Sequence, residues 1–512
     1  MTKDHYHTFF ATFGFHSRSL AARHVRTSLS HPMQIGSVRP FLPSGLIGIT
    51  FCPGKKQEVA ASGSWDRDLS VDIKAVQALG AVALVTLIEQ HEIDALQVCD
   101  IGEVCRRHSI EWLHLPIPDV SIPSAPFETR WAIVGEGLRS RLRNGFNIVV
   151  HCKGGLGRAG TVGARLLIEL GVEPSRAVQM IREARPGAIE TDGQLAYALR
   201  QRVVPERQPS TMIADVRDRA LGAFVGLAVG DALGTTLEFK PRDTYEHLTD
   251  MVGGGPFRLK PGQFTDDTSM ALCLADSLIA RDGLDERELL ERFCRWFELG
   301  ENSCTGTCFD IGNATSAALS EYRATGDVQA ASADPRLGGN GSIMRLSPGA
   351  IRYWNDAKKL RDTARRQSAT THPAPEPVDG SEALALLLAS LIHGTPLSEA
   401  LSAKYGPFCE RVQAVMDGSW RGKHRDAIRS SGYVIDTLEA AIWAVASTGS
   451  FEEAVLRAVN LGDDSDSVGA VCGQIAGAAY GLSGIPERWR QKLVWSDRIK
   501  GLADRLFAES CR

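Results

Sequence analysis

The sequence predicts two domains, an α/β domain with a central, largely parallel sheet followed by an all-helical domain. With 512 residues, the chain is too long for one ordinary hydrophobic core. Between residues 33 and 202, short apolar runs alternate with helix-like segments, which is typical of a sheet built from parallel strands. From residue 215 onward, apolar residues recur at helical spacing and strand-like runs are scarce.

The strands of the first half are predicted from short runs of β-branched and apolar residues, and its helices from the intervening helical periodicity. The predicted strands are 46–52, 82–88, 112–117 and 148–151, and two of the predicted helices are 72–79 and 93–107. Four helices predicted in the second half are 270–280, 382–392, 434–446 and 470–480.

The segment between the two halves contains two prolines among polar residues and is predicted to be a linker. Before the first half lies a stretch with one acidic residue, Asp4, and many His, Arg and Ser residues. Its composition is similar to that of a mitochondrial targeting segment, but a disordered extension, or a true start at Met33, is favoured. The predicted boundaries are an extension over 1–32, the α/β domain over 33–202, the linker over 203–214 and the helical domain over 215–512.

Bulk composition limits the partners of the chain. It is 43% hydrophobic and 23% charged, and its net charge of −4 predicts no general attraction to nucleic acid or to an anionic membrane. No apolar run approaches the roughly 18 residues of a membrane span. Eleven cysteines without a spacing framework favour a reducing compartment. We therefore expect a soluble cytoplasmic monomer.

A loop with one cysteine and one arginine lies between a strand and a helix, and reads His151-Cys152-Lys153-Gly154-Gly155-Leu156-Gly157-Arg158. Backbone N–H groups of such a turn point inward, and the following helix adds positive potential, so the loop can hold a phosphate. The same field favours the thiolate of Cys152, and the fork of Arg158 can bind two phosphate oxygens. Nucleophilic attack on phosphorus is the chemistry predicted, with Asp119 as the general acid.

This loop resembles the HCxxGxxR signature of the protein tyrosine and dual-specificity phosphatases, and is especially similar to the kinase-associated phosphatase branch, over about residues 40–200. The resemblance implies that Cys152 is the nucleophile, Arg158 the phosphate clamp and Asp119 the acid. It also implies that the loop residues bind substrate, namely Lys153, Gly154, Gly155, Leu156 and Gly157.

One position departs from this family. The residue after the arginine is usually Ser or Thr, which assists hydrolysis of the phosphocysteine, and here it is Ala159. We therefore predict slow turnover. Two alternatives remain, a purely structural glycine-rich turn and a loop that binds phosphate but hardly turns over.

Two acidic clusters occur in the helical half, each after a glycine and before an apolar helix. They read Thr265-Asp266-Asp267-Thr268 and Asp463-Asp464-Ser465-Asp466-Ser467. One such cluster could simply cap its helix. Two clusters with more carboxylates than a cap uses indicate a hard cation, Mg²⁺ or Mn²⁺, because all the donors are oxygens. An EF-hand is not predicted, since the spacing of its ligands is absent.

Further segments in this half follow in a fixed order, beginning with Arg219-Ala220-Leu221-Gly222-Ala223-Phe224 and Gly230-Asp231-Ala232-Leu233-Gly234-Thr235-Thr236-Leu237-Glu238-Phe239. The others are Cys308-Phe309-Asp310-Ile311-Gly312-Asn313, Gly339-Asn340-Gly341-Ser342-Ile343-Met344-Arg345 and Thr371-His372-Pro373. Together with the two clusters, this set resembles the ADP-ribosylglycohydrolase family, in particular the bacterial enzymes that act on dinitrogenase reductase, over about residues 215–500.

The resemblance implies an all-helical fold with two Mg²⁺ or Mn²⁺ ions. The implied metal ligands are Thr265, Asp266, Asp267, Asp464, Asp466 and Ser467, the last of which is usually Thr. It further implies that Glu238 lies beside the ribose and that Asp310 acts at the scissile bond. Asn340 and Gly341 approach the ADP-ribose, and Tyr433 lies near the adenine. Taken alone, Glu238 would be interpreted as a surface charge, Asp310 as a helix cap and His372 as structural.

The function predicted is that of a bifunctional hydrolase, which removes ADP-ribose from protein side chains, with arginine favoured, and phosphate from phosphoproteins. Two alternatives remain open. In one, the first domain only binds phosphate and recruits a substrate to the hydrolase. In the other, the helical domain is an ADP-ribose reader without catalysis.

Overall fold

The computed structural model describes residues 25–60, 63–331, 334 and 338–511. Within these ranges the strands are β1 (Gly36–Val38), β2 (Ile47–Phe51), β3 (Lys56–Gln57), β4 (Trp65–Asp66), β5 (Ala81–Thr86), β6 (Glu111–His114) and β7 (Asn147–Cys152). The helices of the first half are α1 (Leu69–Ala78), α2 (Gln90–Ala95), α3 (Ile101–Arg107), α4 (Ala125–Arg143), α5 (Gly157–Glu169), α6 (Pro174–Ala184) and α7 (Asp192–Leu199).

The described residues of the second half form helices joined by loops. These are α8 (Ile213–Gly234), α9 (Asp266–Ala280), α10 (Glu286–Leu299), α11 (Asn313–Thr325), α12 (Ser347–Arg352), α13 (Ala357–Ala369), α14 (Pro375–His393), α15 (Leu397–Ala400), α16 (Glu410–Met416), α17 (Val434–Ala446), α18 (Phe451–Val459), α19 (Ser465–Tyr480), α20 (Glu487–Lys492) and α21 (Ser496–Ser510). The predicted fold class, α/β followed by all-α, is confirmed.

The sheet of the first domain has the strand order β1-β2-β7-β5-β6. Strands β2, β7, β5 and β6 are parallel, and β1 is antiparallel at one edge. In the register of the sheet, Cys152 pairs with Phe51, and His151 pairs with Thr86. Cys152 therefore leaves the sheet at the carboxyl end of the central strand, where ligand sites of parallel sheets form.

Two predicted elements of this domain differ from the structure, one because it is divided and one because it is shorter. The helix predicted over 93–107 is divided into α2 and α3, because Gln97 between them has a left-handed φ of 56°. The strand predicted over 112–117 stops at His114. Leu115 and Ile117 still donate to the carbonyls of Thr86 and Leu87, so the chain continues beside β5 past the end of the strand.

The helical domain is built around the close pair α8 and α19. The two backbones approach at Gly230 and Gly469, where a Cβ on Gly230 would lie 2.0 Å from the carbonyl oxygen of Gly469. Any side chain at this point would separate the helices. The close approach places Asp231, which follows Gly230, beside the amino-terminal turn of α19.

The two domains are packed against each other through buried arginines. Arg141 of α4 donates to the carbonyl of Ser447 (3.1 Å) and pairs with Glu111 of β6. From the helical domain, Arg457 donates to the carbonyl of Val82 (3.3 Å). Each guanidinium thus satisfies backbone carbonyls of the partner domain, which fixes the contact by geometry as well as by apolar burial.

Part of the predicted extension lies outside the described residues, namely 1–24. The described remainder contacts the first domain, since Arg26 forms a bridge with Trp65 and the Ser28 hydroxyl donates to the carbonyl of Asp68 (3.2 Å). Packed structure thus begins before Met33. In the described residues, none of the helices combines the length and apolar character needed to cross a bilayer.

Candidate active sites

The first site is a cradle formed where β7 runs into α5. Cys152 is 3% exposed, and the backbone N–H of Gly155 donates to its sulfur at 3.2 Å. Gly155 has a φ of 72°, and a Cβ there would lie 2.4 Å from the backbone of Thr50. Only glycine fits this turn. The loop therefore presents N–H groups to the sulfur and to any anion beside it.

Arg158 is held at the first turn of α5 by acidic partners. Its two terminal nitrogens donate to the carboxylate of Glu92 at 2.6 and 2.9 Å, and one of them donates to the carbonyl of Ile117 at 3.0 Å. The Asp119 carboxylate lies 2.9 Å from the same guanidinium. Burial would raise the pKa of Glu92, but hydrogen bonds from Arg158 lower it below the usual range. Arg158 is thereby fixed in one orientation.

Sequence reasoning did not find Glu92. Its spacing from Glu89 is that of a capping box, which the structure contains, and such spacing indicates a helix start and not a functional role. Asp119 was found, and the structure places it on the loop after β6, largely exposed and beside the cradle. Its role as an acid stays a prediction.

The neighbours of the cradle differ in protonation and in hydrogen bonding. His151 is buried, its Nε2 lies 2.7 Å from the Thr86 hydroxyl, and burial lowers the pKa of His151 to about 3, so the ring is neutral.

Ala159 is fully buried and brings no hydroxyl. The Thr161 hydroxyl donates to the carbonyl of Gly157 at 2.8 Å, within its own helix. The Thr161 hydroxyl is therefore not free to replace the one absent at position 159.

The second site lies between the amino-terminal turns of α9 and α19. Carboxylate oxygens of Asp266, Asp267 and Asp466 lie within 4.8 Å of one another, and so do those of Glu238, Asp310 and Asp466. Asp466 belongs to both triplets. The structure thus joins the two acidic clusters of the sequence, and joins Glu238 and Asp310 to the same group.

Asp231, which was not among the predicted site residues, organises this centre. Its carboxylate accepts the backbone N–H and the hydroxyl of both Thr265 and Thr268, at 2.6 to 3.0 Å. The Thr265 oxygen also lies 3.0 Å from Asp267 and 3.2 Å from Asp466. One hydroxyl hydrogen cannot serve three carboxylates, so lone pairs face each other unless a cation lies between them.

The donor set fits a hard divalent cation. Among the described residues, Asp267 Oδ1, Asp466 Oδ1 and Glu238 Oε2 are buried and have no hydrogen-bond partner. An orphaned buried carboxylate oxygen is costly, and a metal ion would satisfy it. Every nearby donor is an oxygen, which suits Mg²⁺ or Mn²⁺ better than zinc.

The pKa values of the carboxylates in the metal-free cluster also favour a bound cation. Burial, followed by the charge of Asp466, raises the pKa of Asp464 to about 8 and that of Asp310 to about 9. The same two causes raise the pKa of Asp231 to about 7. These carboxylates take up protons when no cation is present, and a cation would displace the protons.

We therefore expect the metal-free protein to lose stability as pH rises from about 5 to 8. The folded-state pKa values exceed the unfolded value of roughly 3.9, so the stabilisation present at low pH is lost as pH rises through the raised values. Melting temperatures in a chelator would measure this, and Mg²⁺ should restore more stability at pH 8 than at pH 5. In the variant Asp310→Asn, the melting temperature in a chelator should fall less steeply with rising pH. A chelated melting temperature that rises over this range would contradict the expectation.

The remaining predicted residues surround this centre at different distances. Asn340 donates to Asp464 at 2.6 Å and to the Thr437 hydroxyl at 2.9 Å. The Tyr433 hydroxyl donates to Glu376 at 2.6 Å, and Tyr433 bridges to Gly339. Asp464 thus joins the loop of Asn340 to the acidic cluster.

Two predicted residues lie at the edges of the centre. Ser467 is buried in the first turn of α19, with its hydroxyl 3.9 Å from the sulfur of Met344. A Cβ on Gly341 would lie 2.6 Å from the His372 ring, so His372 supports the glycine loop from behind. Burial lowers the pKa of His372 to about 3, which agrees with a neutral structural role.

Two family models match the chain. A model described as ADP-ribosylglycohydrolase matches residues 212–512, and a model described as "Swiss Army Knife protein, DSP-PTPase phosphatase domain" matches residues 61–197. The two resemblances predicted from the sequence are confirmed.

Several relatives match more than half of the chain. ADP-ribosylarginine hydrolase Tri1 of Serratia proteamaculans is 51% identical over 57% of this chain and 79% of its own. The ADP-ribosyl-dinitrogen reductase glycohydrolase of Rhodospirillum rubrum is 34% identical over 54% of this chain and 91% of its own. A solved structure described as an ADP-ribosylglycohydrolase-related protein complex is 42% identical and covers 58% of this chain and 99% of its own, with a TM-score of 0.51.

Proposed function

Because the chain belongs to the ADP-ribosylglycohydrolase family, we propose that its helical domain removes ADP-ribose from modified arginine side chains of proteins. The observation that carries this proposal is the convergence of both acidic clusters on Asp466, with Glu238 and Asp310 in the same group. Arginine is chosen as the acceptor because relatives named ADP-ribosylarginine hydrolase are more similar to this chain than the dinitrogen reductase relative.

The residues of this site have separate proposed tasks. Cleavage at the anomeric carbon passes through a positively charged, oxocarbenium-like state, which the Glu238 and Asp310 carboxylates stabilise. Asn340 and Gly341 orient the ADP-ribose, and Tyr433 bounds its adenine side. Two Mg²⁺ or Mn²⁺ ions, when bound, supply positive charge to the ribose hydroxyls and to a water. The residues that would hold them are Thr265, Asp266, Asp267, Asp464, Asp466 and Ser467.

Incubation of the protein with an ADP-ribosylarginine peptide and Mg²⁺ tests the proposal, with free ADP-ribose as the readout. Serine-linked, nucleobase-linked and acetyl-linked ADP-ribose serve as comparison substrates. Release from the arginine peptide that is abolished by a chelator supports the proposal. Preferential release from another linkage would contradict the acceptor, and binding without release from any of them would favour an ADP-ribose reader.

We propose a second activity for the first domain, the hydrolysis of phosphomonoesters through Cys152. The contacts of Arg158 support it, since the guanidinium is already oriented by Glu92 at the mouth of the cradle. The Cys152 sulfur attacks phosphorus while Asp119 gives a proton to the departing oxygen. Water then releases phosphate from the sulfur. A domain that only binds phosphate is the second candidate, because position 159 lacks the hydroxyl that assists this last step.

The exchange Ala159→Ser is expected to raise steady-state turnover of an aryl phosphate about tenfold, because a hydroxyl beside the sulfur assists hydrolysis of the phosphocysteine. Stopped-flow measurements should show a burst of aryl alcohol in the natural protein and a smaller burst in the variant. Thr161→Val is the matched control, since its hydroxyl is bonded within the helix. A natural protein without a burst would contradict slow dephosphorylation.

We further propose that the protein acts as a monomer in the reducing cytoplasm. The proposal rests on eleven cysteines without a spacing framework and on the packing of the two domains against each other within one chain. Light scattering of the purified protein tests the oligomeric state, and a stable dimer would contradict it.

A further inference from the structure

Three basic side chains beside the phosphatase-like cradle lack a carboxylate partner. Lys55 and Arg185 contact backbone carbonyls, and Lys55 also lies over two aromatic rings, but none of the ion pairs among the described residues includes Lys55, Lys153 or Arg185. Arg158, in contrast, is paired with both Glu92 and Asp119. The cradle thus carries more positive charge than its own acids neutralise.

Lys55 is buried at this site. It is 5% exposed, its ammonium donates to the carbonyl of Lys153 at 3.3 Å, and it lies 4.0 Å from the ring centre of Trp65. Burial lowers the pKa of Lys55 to about 8, and the charges of Cys152 and Arg185 both act on it. The Lys55 ammonium and the Arg185 guanidinium bind consecutive carbonyls of the loop, those of residues 153 to 155, so the basic groups lie in one neighbourhood. A buried ammonium without a counter-ion is costly unless an anion binds there.

Arg185 reaches the cradle from the end of α6. Its Nε donates to the carbonyl of Gly155 and its Nη2 to that of Gly154, both at 3.3 Å. Its Nη1 has no hydrogen-bond partner among the described residues. Half of the guanidinium thus holds the loop, and the other half is available to a ligand.

The other end of the loop is acidic. A Cβ on Gly157 would lie 2.4 Å from a carboxylate oxygen of Glu190. The unpaired cations are therefore concentrated near Lys153, Gly154 and Gly155. An additional negative group of a substrate would be attracted to this side of the cradle.

We propose that the cradle takes phosphomonoesters that carry a second phosphate on the same small molecule, and that Lys55, Lys153 and Arg185 bind this second phosphate. The proposal rests on the phosphoester chemistry proposed for Cys152. A singly phosphorylated side chain would occupy only the N–H groups and Arg158, and would leave three cations unpaired. Two phosphates on one polyol, free or as a lipid headgroup, match the charge distribution.

The reaction leaves the second phosphate unchanged. The Cys152 sulfur forms a bond to the first phosphorus, the ester P–O bond breaks, and Asp119 protonates the alcohol that leaves. A water oxygen then bonds to phosphorus, its proton returns to Asp119, and the P–S bond breaks to release inorganic phosphate. Sulfur leaves as thiolate, so no oxidant or reductant is needed.

Phosphate release from matched substrates tests the proposal. We expect kcat/KM for an inositol bisphosphate to exceed that for an inositol monophosphate about tenfold, as one added charge-assisted contact predicts. The same comparison in phosphatidylcholine vesicles uses phosphatidylinositol bisphosphate and monophosphate. Lys55→Met, Lys153→Ser and Arg185→Gln should each bring the preference close to one. Arg176→Gln, an exposed arginine of α6 paired with Glu183, should retain it.

The outcomes of these assays distinguish a free bisphosphate from a lipid headgroup as the substrate. A preference in solution assigns a free bisphosphate, and a preference only in vesicles assigns a lipid headgroup. Equal rates for both substrates of each pair overturn the proposal, and so does a higher kcat/KM for a doubly phosphorylated peptide. A variant that slows both substrates equally shows a structural role for that residue and removes it from the proposed site.

Binding to Cys152→Ser keeps the test independent of turnover. Calorimetry of this variant should give a bisphosphate affinity about tenfold above that of the monophosphate. If the natural protein hydrolyses nothing but this difference remains, the proposed activity fails while the second phosphate site stands. Equal affinities overturn the site whether or not the natural protein turns over.

Discussion

Exchange of Asp466 for asparagine is expected to lower ADP-ribose release from an ADP-ribosylarginine peptide on the order of a thousandfold, because the one carboxylate that belongs to both acidic triplets is lost. The same change should raise the melting temperature of the metal-free protein. Asp466 is among the charges that raise the pKa of Asp231, Asp310 and Asp464, so removal of its charge relieves repulsion. If the variant releases ADP-ribose more slowly but melts at a higher temperature without metal, the loss of activity cannot result from unfolding.

The matched control is Asp463→Asn in the same acidic cluster. Asp463 is exposed, has a left-handed φ of 54° and belongs to neither ligand triplet. Asparagine tolerates this backbone conformation, so activity should stay within about twofold. Initial rates, calorimetric titration with Mg²⁺ and thermal melts in a chelator are the measurements. An Asp466 variant that keeps a tenth of the natural rate would contradict the shared-ligand arrangement.

Exchange of Cys152 for serine is expected to abolish hydrolysis of an aryl phosphate, with a loss of more than about a thousandfold, because the neutral hydroxyl is a far weaker nucleophile than the thiolate. Release of ADP-ribose by the same variant should be unchanged. Activity on both substrates is measured on one preparation. This separates a bifunctional hydrolase from a hydrolase whose first domain only binds phosphate.

The control is Cys52→Ser, which changes a second buried cysteine of the same domain. Burial raises the pKa of the Cys52 thiol well above its usual range, so this group stays protonated and is not a nucleophile. Its sulfur donates to the carbonyl of Pro53, a contact that a serine hydroxyl can keep. Equal losses in both variants would show damage to the fold instead of loss of the nucleophile.

Several elements of the fold could be predicted because their signals are local. The strand before Cys152 and the helix after it follow from apolar runs on either side of a glycine-rich turn. The boundary errors are local too, but depend on backbone conformation. The left-handed φ of Gln97 divides one predicted helix, and one predicted strand stops at His114. Neither the left-handed residue nor the end of the regular strand is visible in periodicity.

The candidate sites were predictable where functional residues begin a helix or end a strand. Thr265, Asp266 and Asp267 precede or open α9, and Asp464 and Asp466 do the same for α19. Charged residues in such positions stand out against the apolar helices that follow. The supporting residues do not stand out. Asp231 lies inside a long apolar helix, and Glu92 has the spacing of a cap.

By itself, the sequence determined the two-domain order, the cysteine–arginine loop and the two acidic clusters, because each depends on neighbours along the chain. Only the tertiary structure decided that both clusters share Asp466, that Glu92 holds Arg158, and that three unpaired cations lie beside one cradle. These relations join residues far apart in sequence, and they depend on how closely packed elements approach. The contact of α8 with α19 is set by glycines such as Gly230 and Gly469. Periodicity reveals which face of a helix is buried, but not which residues of another helix meet it.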